Sequence, residues 1–150
     1  MNLKHIDGNR IYDFFISGAH NLIHWEQYLN RINVFPVPDG DTGTNLAMTM
    51  RSIISQSKQH GSVHASLNSI SEIAVENAYG NSGLIFAQYL SGFAAETEQK
   101  ERLTIQEFAD IAAEAARYAY EAVVHPREGT ILSVMKEWAV SYTHLTLPTN

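Results

Sequence analysis

A chain of 150 residues, 45% hydrophobic and 17% charged, has the composition of one soluble globular domain long enough to bury a core. Its net charge of −6 argues against a general nucleic-acid binder, which carries a basic face, although a metal ion can still bring nucleotide phosphates to an acidic protein. The absence of cysteine excludes disulfides, thiolate metal sites and a cysteine nucleophile, and fits a reducing compartment.

The N-terminal MNLKHIDGNR lacks the apolar core of a signal peptide, and no apolar run approaches the roughly 20 residues that cross a bilayer. A cytoplasmic protein without stable membrane insertion is the expectation.

The pattern is helical nearly throughout. Asp7 is placed to cap a first helix in which Ile11, Phe14, Phe15, Ala19, Leu22, Ile23 and Leu29 recur at three- and four-residue steps. The loop 33–41 must break it, because Pro36 and Pro38 disfavour helix at and before themselves. A second helix is predicted from near Thr44, with Leu46, Met50, Ile53 and Ile54 as its stripe. Residues 56–62 are polar and read as a loop. A third helix carries Leu67, Ile70, Ala74 and Ala78. Gly80-Asn81-Ser82-Gly83 interrupts, and a fourth follows through Ile85, Tyr89 and Phe93. Residues 96–102 form a charged linker.

The fifth helix is the clearest. Thr104 and Glu107 make a capping box, each side chain satisfying a free backbone N–H of the first turn. Ile105, Phe108, Ala112, Ala115, Ala119 and Ala122 hold one face, and so much alanine predicts close helix packing. His125-Pro126 ends this helix, and a sixth runs from after Gly129 to about Val140. No strand and no repeat is evident, so the fold class is all-α. Residues 141–150, rich in Thr and Leu, break the periodicity and read as a non-native or disordered tail.

The chemistry concentrates in one loop. Asp39-Gly40-Asp41 sets two carboxylates one residue apart on a tight turn, and Gly40 lets the backbone fold so that both converge. Hard oxygen ligands of this kind suit Mg²⁺, which takes one or two carboxylates and completes its shell with water and phosphate. Thr42-Gly43-Thr44-Asn45 then enters a helix, whose free N–H groups and dipole attract anions. Asp-Gly is also a common turn, and Thr and Asn are common caps. A calcium EF-hand fails on spacing: with Asp39 as its first position, Thr44 falls where Gly is required and Met50 where Glu is required.

The longer string Asn33-Val34-Phe35-Pro36-Val37-Pro38-Asp39-Gly40-Asp41-Thr42-Gly43-Thr44-Asn45 resembles the N-terminal kinase domain of bacterial fatty acid kinases. These belong to the wider dihydroxyacetone-kinase nucleotide-binding (DhaL/DAK2) family. Gly80-Asn81-Ser82-Gly83-Leu84-Ile85 and Glu128-Gly129-Thr130-Ile131-Leu132 agree with it in order and spacing. The resemblance spans about residues 5–140. It implies a DhaL-type antiparallel helical barrel with Mg-ATP at one rim, occupying residues 1–140 and incomplete at its C-terminal side. It also implies transfer of the ATP γ-phosphate to a fatty-acid carboxylate presented by a DegV-like carrier protein. A homodimer is admissible. The alternatives are a nucleotide-binding subunit acting on dihydroxyacetone or a small polyol, and a non-catalytic nucleotide-binding fragment.

By the same resemblance Asp39 and Asp41 match metal-binding aspartates, and Asn33 lies near a third. Thr42 stands where the polyol branch has His, which favours the fatty-acid branch. Thr42, Gly43, Thr44 and Asn45 match phosphate-contacting positions, as do Gly80, Asn81, Ser82 and Gly83 in the second motif. Tyr79 replaces an Arg common before that motif, and Thr130 matches a residue near the nucleotide. No side chain is assigned a catalytic role. His20 with His24, and Glu121 with His125, lie four apart but lack further ligands for a metal. Tyr12, Phe14, Phe15 and Trp25 read as core or as the lining of an apolar barrel interior.

Overall fold

The computed structural model describes residues 4–146. Its elements run β1 (His5–Asp7), α1 (Gly8–His24), α2 (Glu26–Ile32), α3 (Thr42–Gln56), α4 (Val63–Glu76), α5 (Gly80–Glu96), β2 (Arg102–Thr104), α6 (Ile105–Glu121) and α7 (Ile131–Thr146). The all-α class expected from the periodicity holds, and α5 packs at the centre against α3, α4, α6 and α7.

Three boundaries differ from the sequence reading. The first predicted helix is two, α1 and α2, because the chain turns at Trp25, whose N–H still bonds back to the carbonyls of Asn21 and Leu22. A small ribbon was not foreseen. β1 and β2 pair antiparallel with Ile6 opposite Leu103, and strands of three residues are too short to show an alternating pattern. Both of those side chains are buried in the core. Finally α7 continues past Val140 to Thr146: residues 141–146 contain neither Pro nor Gly, and the first proline, Pro148, comes later. Of the expected tail, residues 147–150 lie outside the described residues.

Packing follows the apolar stripes. Phe93 is fully buried, with Phe15 and Tyr89 edge-on to its ring and Phe108 tilted against it. Rings prefer such offset and edge-to-face contacts because their faces are negative and their edges positive. The alanine stripe of α6 does what its composition predicts. Ala112, Ala115, Ala116 and Ala119 are buried, and a Cβ placed on Gly92 of α5 would lie 2.8 Å from the Cα of Ala115. Small residues on both helices therefore bring the two backbones together. Phe14, about half exposed, lines an apolar cavity with Phe15, Leu22 and Phe86, as the lining reading allowed, whereas Trp25, also about half exposed, does not.

The helices start at two ends. α1, α4 and α6 start beside the ribbon, where Gly8 N–H donates to Gly61 O, and Val63 and His64 donate to Glu101 O and Lys100 O. Each of these starts is capped by its own side chain: Asp7, Ser62 and Thr104 accept the N–H of Arg10, Ala65 and Glu107 respectively. The predicted capping box of Thr104 and Glu107 is present with both bonds. α3 and α5 start together elsewhere, and neither has a side-chain cap of its own.

Candidate functional site

The uncapped starts of α3 and α5 face one another, and the loop 33–41 folds beside them. Gly40 holds φ at +65°, a left-handed conformation that glycine adopts without strain, and this lets the chain reverse between Asp39 and Asp41. Both aspartates are exposed, and among the described residues neither carboxylate has a hydrogen-bond partner. Free carboxylates suit a hard, oxygen-seeking cation such as Mg²⁺. Among the described residues no group of three or more His, Cys, Asp and Glu side chains could hold a metal. A cation held by Asp39 and Asp41 would have to complete its shell with water and phosphate.

Asn33 shapes this loop. Its Oδ1 accepts from Asp41 N–H (3.1 Å), Thr42 N–H (3.1 Å) and the Thr42 hydroxyl (2.9 Å), while its Nδ2 donates to Val37 O. The amide oxygen expected to ligate a metal is therefore engaged with three donors of the loop itself. Thr44 is held in a similar way from α2. Its N–H donates to Asn30 Oδ1 (3.0 Å), and Asn30 Nδ2 donates to its hydroxyl (2.9 Å). The Thr44 hydroxyl also lies by the Glu26 carboxylate. That group is held below the usual carboxylate range, chiefly by the Arg51 guanidinium bonded at 2.8 Å. α2 and α3 approach so closely that a Cβ on Gly43 would lie 2.1 Å from Glu26 O.

The anion-binding capacity is consequently uneven. At α3, the N–H groups of Thr42 and Thr44 are taken by the two asparagines and that of Asn45 by Asp41 O. The expected row of free donors at this helix start is reduced to Gly43. At α5 the first intrahelical bond is Gly83 N–H to Tyr79 O, so the N–H groups of Gly80, Asn81 and Ser82 have no partner among the described residues. Gly80 sits at φ +64°, and a Cβ there would lie 2.3 Å from Asn45 Nδ2.

Asn45 lies against this start. The residue is 6% exposed, its amide makes no hydrogen bond among the described residues, and its amide atoms still reach the surface. The first two motifs also touch directly, with the Ser82 hydroxyl donating to Thr42 Oγ1 (3.3 Å). Thr49, one turn beyond Asn45 and fully buried, fixes this meeting: its hydroxyl donates to Asn45 O and accepts from Tyr79 N–H.

The third motif arrives from the start of α7. Gly129 has φ +78°, and a Cβ on it would lie 3.6 Å from the Phe35 ring. Thr130 is used locally, donating to Arg127 O (2.7 Å) and accepting from Leu132 N–H (3.3 Å). Asp39, Asp41, Thr42, Asn45 and Gly80 to Gly83 thus gather at one place, with Gly129 against its edge. Asn30 and Thr49 are the members that sequence reasoning missed. Asn30 lies three residues before Asn33 on a helical stretch, and that spacing was the one signal for it.

A helical domain with one open helix start, a second helix start packed against it and two exposed carboxylates on the adjoining loop is compatible with a nucleotide-binding, kinase-related domain. The DAK2 domain matches residues 36–147, and this chain belongs to that family, which is nucleotide-binding and kinase-associated. Among its relatives is protein YloV of Bacillus subtilis, 38% identical over 144 residues that make up 93% of this chain and 26% of YloV. Uncharacterized proteins of Staphylococcus epidermidis and Staphylococcus saprophyticus are 36% and 37% identical over 139 residues, covering 91% and 89% of this chain and 25% of each relative. The chain therefore spans about a quarter of the length of these curated relatives. Among the described residues no helix is long and apolar enough to cross a membrane.

Proposed function

We propose that this chain is the Mg-ATP-binding part of a kinase that transfers the γ-phosphate of ATP to a fatty-acid carboxylate. The observation that carries the nucleotide reading is the open start of α5, where the N–H groups of Gly80, Asn81 and Ser82 lack partners among the described residues and Gly80 lies against Asn45. Asp39 and Asp41 would hold Mg²⁺, whose charge offsets that of the phosphates. The N–H groups of Gly80, Asn81 and Ser82 and the Asn45 amide would bind phosphate oxygens. Gly43 and Gly83 would admit the close backbone approach, and Thr42 and Thr130 would border the nucleotide. Asn33 and Thr44 would act by holding the loop in shape.

In the reaction a carboxylate oxygen attacks the γ-phosphorus and the bond to the β,γ-bridging oxygen breaks, giving an acyl phosphate and ADP. Phosphoryl transfer of this kind needs positioning and charge stabilisation more than a protein nucleophile. The fatty-acid substrate rests on the resemblance of the Pro-flanked loop and on Thr42, which stands where the polyol branch has His. The partner would be a DegV-like fatty-acid carrier in the cytoplasm, and the kinase a monomer or homodimer.

Calorimetry tests the site. ATP should bind in the presence of Mg²⁺, and the double change Asp39→Asn with Asp41→Asn should abolish the Mg²⁺-dependent part; unchanged binding would overturn the metal assignment. Acyl phosphate formed from a fatty-acid-loaded DegV-like carrier would support the substrate, whereas phosphorylation of dihydroxyacetone would replace it.

A further inference from the structure

We infer that Asn30 is a positioning residue that caps α3 from outside and thereby keeps the Asp41 carboxylate free for a cation. The inference rests on the reading of Asp39 and Asp41 as the metal pair.

An aspartate at the N-cap of a helix normally accepts the N–H of the second or third helical residue. Asp41 occupies that position for α3 and makes no such bond. Its backbone also differs from that of the self-capped starts. At the three helix starts capped by their own side chains, ψ is extended: 178° at Asp7, 140° at Ser62 and 164° at Thr104. At Asp41 ψ is −4°. The donor that Asp41 would take, Thr44 N–H, belongs instead to Asn30 Oδ1 at 3.0 Å.

Asn30 can hold that donor only in one orientation. A backbone N–H requires an acceptor, so the amide oxygen must face it, and the amide nitrogen then donates to the Thr44 hydroxyl at 2.9 Å. Both ends of the amide are used on one residue. Asn33, one turn later, takes the N–H groups of Asp41 and Thr42. The two asparagines thus satisfy the start of α3 in trans, and Gly43 admits them, since a Cβ there would lie 2.8 Å from Asn30 Oδ1. A carboxylate that capped its own helix would spend an oxygen on N–H donors and be a poorer cation ligand.

The experiment compares Asn30→Ala with Asn30→Asp in the full chain. Alanine leaves Thr44 N–H without its acceptor; aspartate restores an acceptor at the same place. With ATP and Mg²⁺ as probes, Asn30→Ala should raise the Mg²⁺ needed for half-maximal ATP binding about tenfold or more, the scale of losses when a metal's outer partners are removed. Asn30→Asp should stay within about threefold of the parent, because its acceptor still occupies Thr44 N–H. A nucleotide-free crystal structure of Asn30→Ala should show the Asp41 carboxylate bonded to Gly43 or Thr44 N–H. An Asp41 that stays off the helix in that structure overturns the inference, as does an unchanged Mg²⁺ requirement. So does an equal loss in both variants that tracks a lowered melting temperature. If the parent itself shows no Mg²⁺-dependent ATP binding, the proposed function fails while the crystal structure still decides the role of Asn30.

Discussion

The starts of α5 and α6 differ in one respect that separates stability from function. α6 opens with Thr104 and Glu107, which satisfy each other's backbone donors, and Lys100 adds an ion pair to Glu107 at 3.0 Å. α5 opens with Gly80-Asn81-Ser82-Gly83 and leaves its first donors without partners among the described residues, against the side chain of Asn45. The same four N–H groups are a debt at any helix end. One end settles it internally and gains stability; under the proposed function the other leaves it for phosphate.

The contrast can be broken at several points. Gly80→Ala is expected to be the most damaging change, because it forces a side chain into the left-handed region and against Asn45; a loss of about 2–4 kcal/mol in denaturant unfolding is expected, with ATP binding lost as well. Thr104→Ala should cost about 1–2 kcal/mol of stability and leave the affinity for ATP unchanged, since it touches only the closed end. Tyr79→Asp is the informative converse. Tyr79 has the extended backbone of a capping residue, so an aspartate there should close the start of α5, stabilise the fold by about 1 kcal/mol and weaken ATP binding. A Tyr79→Asp protein that binds ATP as the parent does would sink the claim that these donors serve phosphate.

The smallest effect concerns pH. Glu107 is held below its ordinary value of 4.5, first by the Thr104 backbone N–H and then by Lys100. A depressed folded value means that its stabilising contribution is complete above 4.5 and is lost as pH falls through the folded value. Glu107→Gln should therefore flatten the acid side of a stability-against-pH curve, by less than about 1 kcal/mol because the group is exposed.

Much of this was legible in the sequence, for reasons that differ by residue. The helices of the core announced themselves because Leu67, Ile70 and Ala74, or Phe108, Ala112, Ala115 and Ala119, must share one face to be buried. Asp39-Gly40-Asp41 and Gly80-Asn81-Ser82-Gly83 were visible because carboxylates and glycines are conspicuous where the helical period stops. What escaped depends on contacts between distant segments. Asn30 is an ordinary polar residue of α2 until Thr44 is placed beside it. Thr49 reads as a core residue until its hydroxyl is seen to join Asn45 to Tyr79. The break at Trp25 and the ribbon of β1 and β2 are each too short to leave a periodic signal.

The ribbon has a consequence for how the molecule is made. Ile6 pairs with Leu103, so the opening strand waits for its partner while almost all the intervening helices leave the ribosome. Pairings this distant are slow to close, because the loop entropy must be met before the contact is gained. The helix hairpins between them are local and can form first. Fastening the ribbon then follows those hairpins, ties α1 to them, and precedes the packing of α6 and α7 that completes the core.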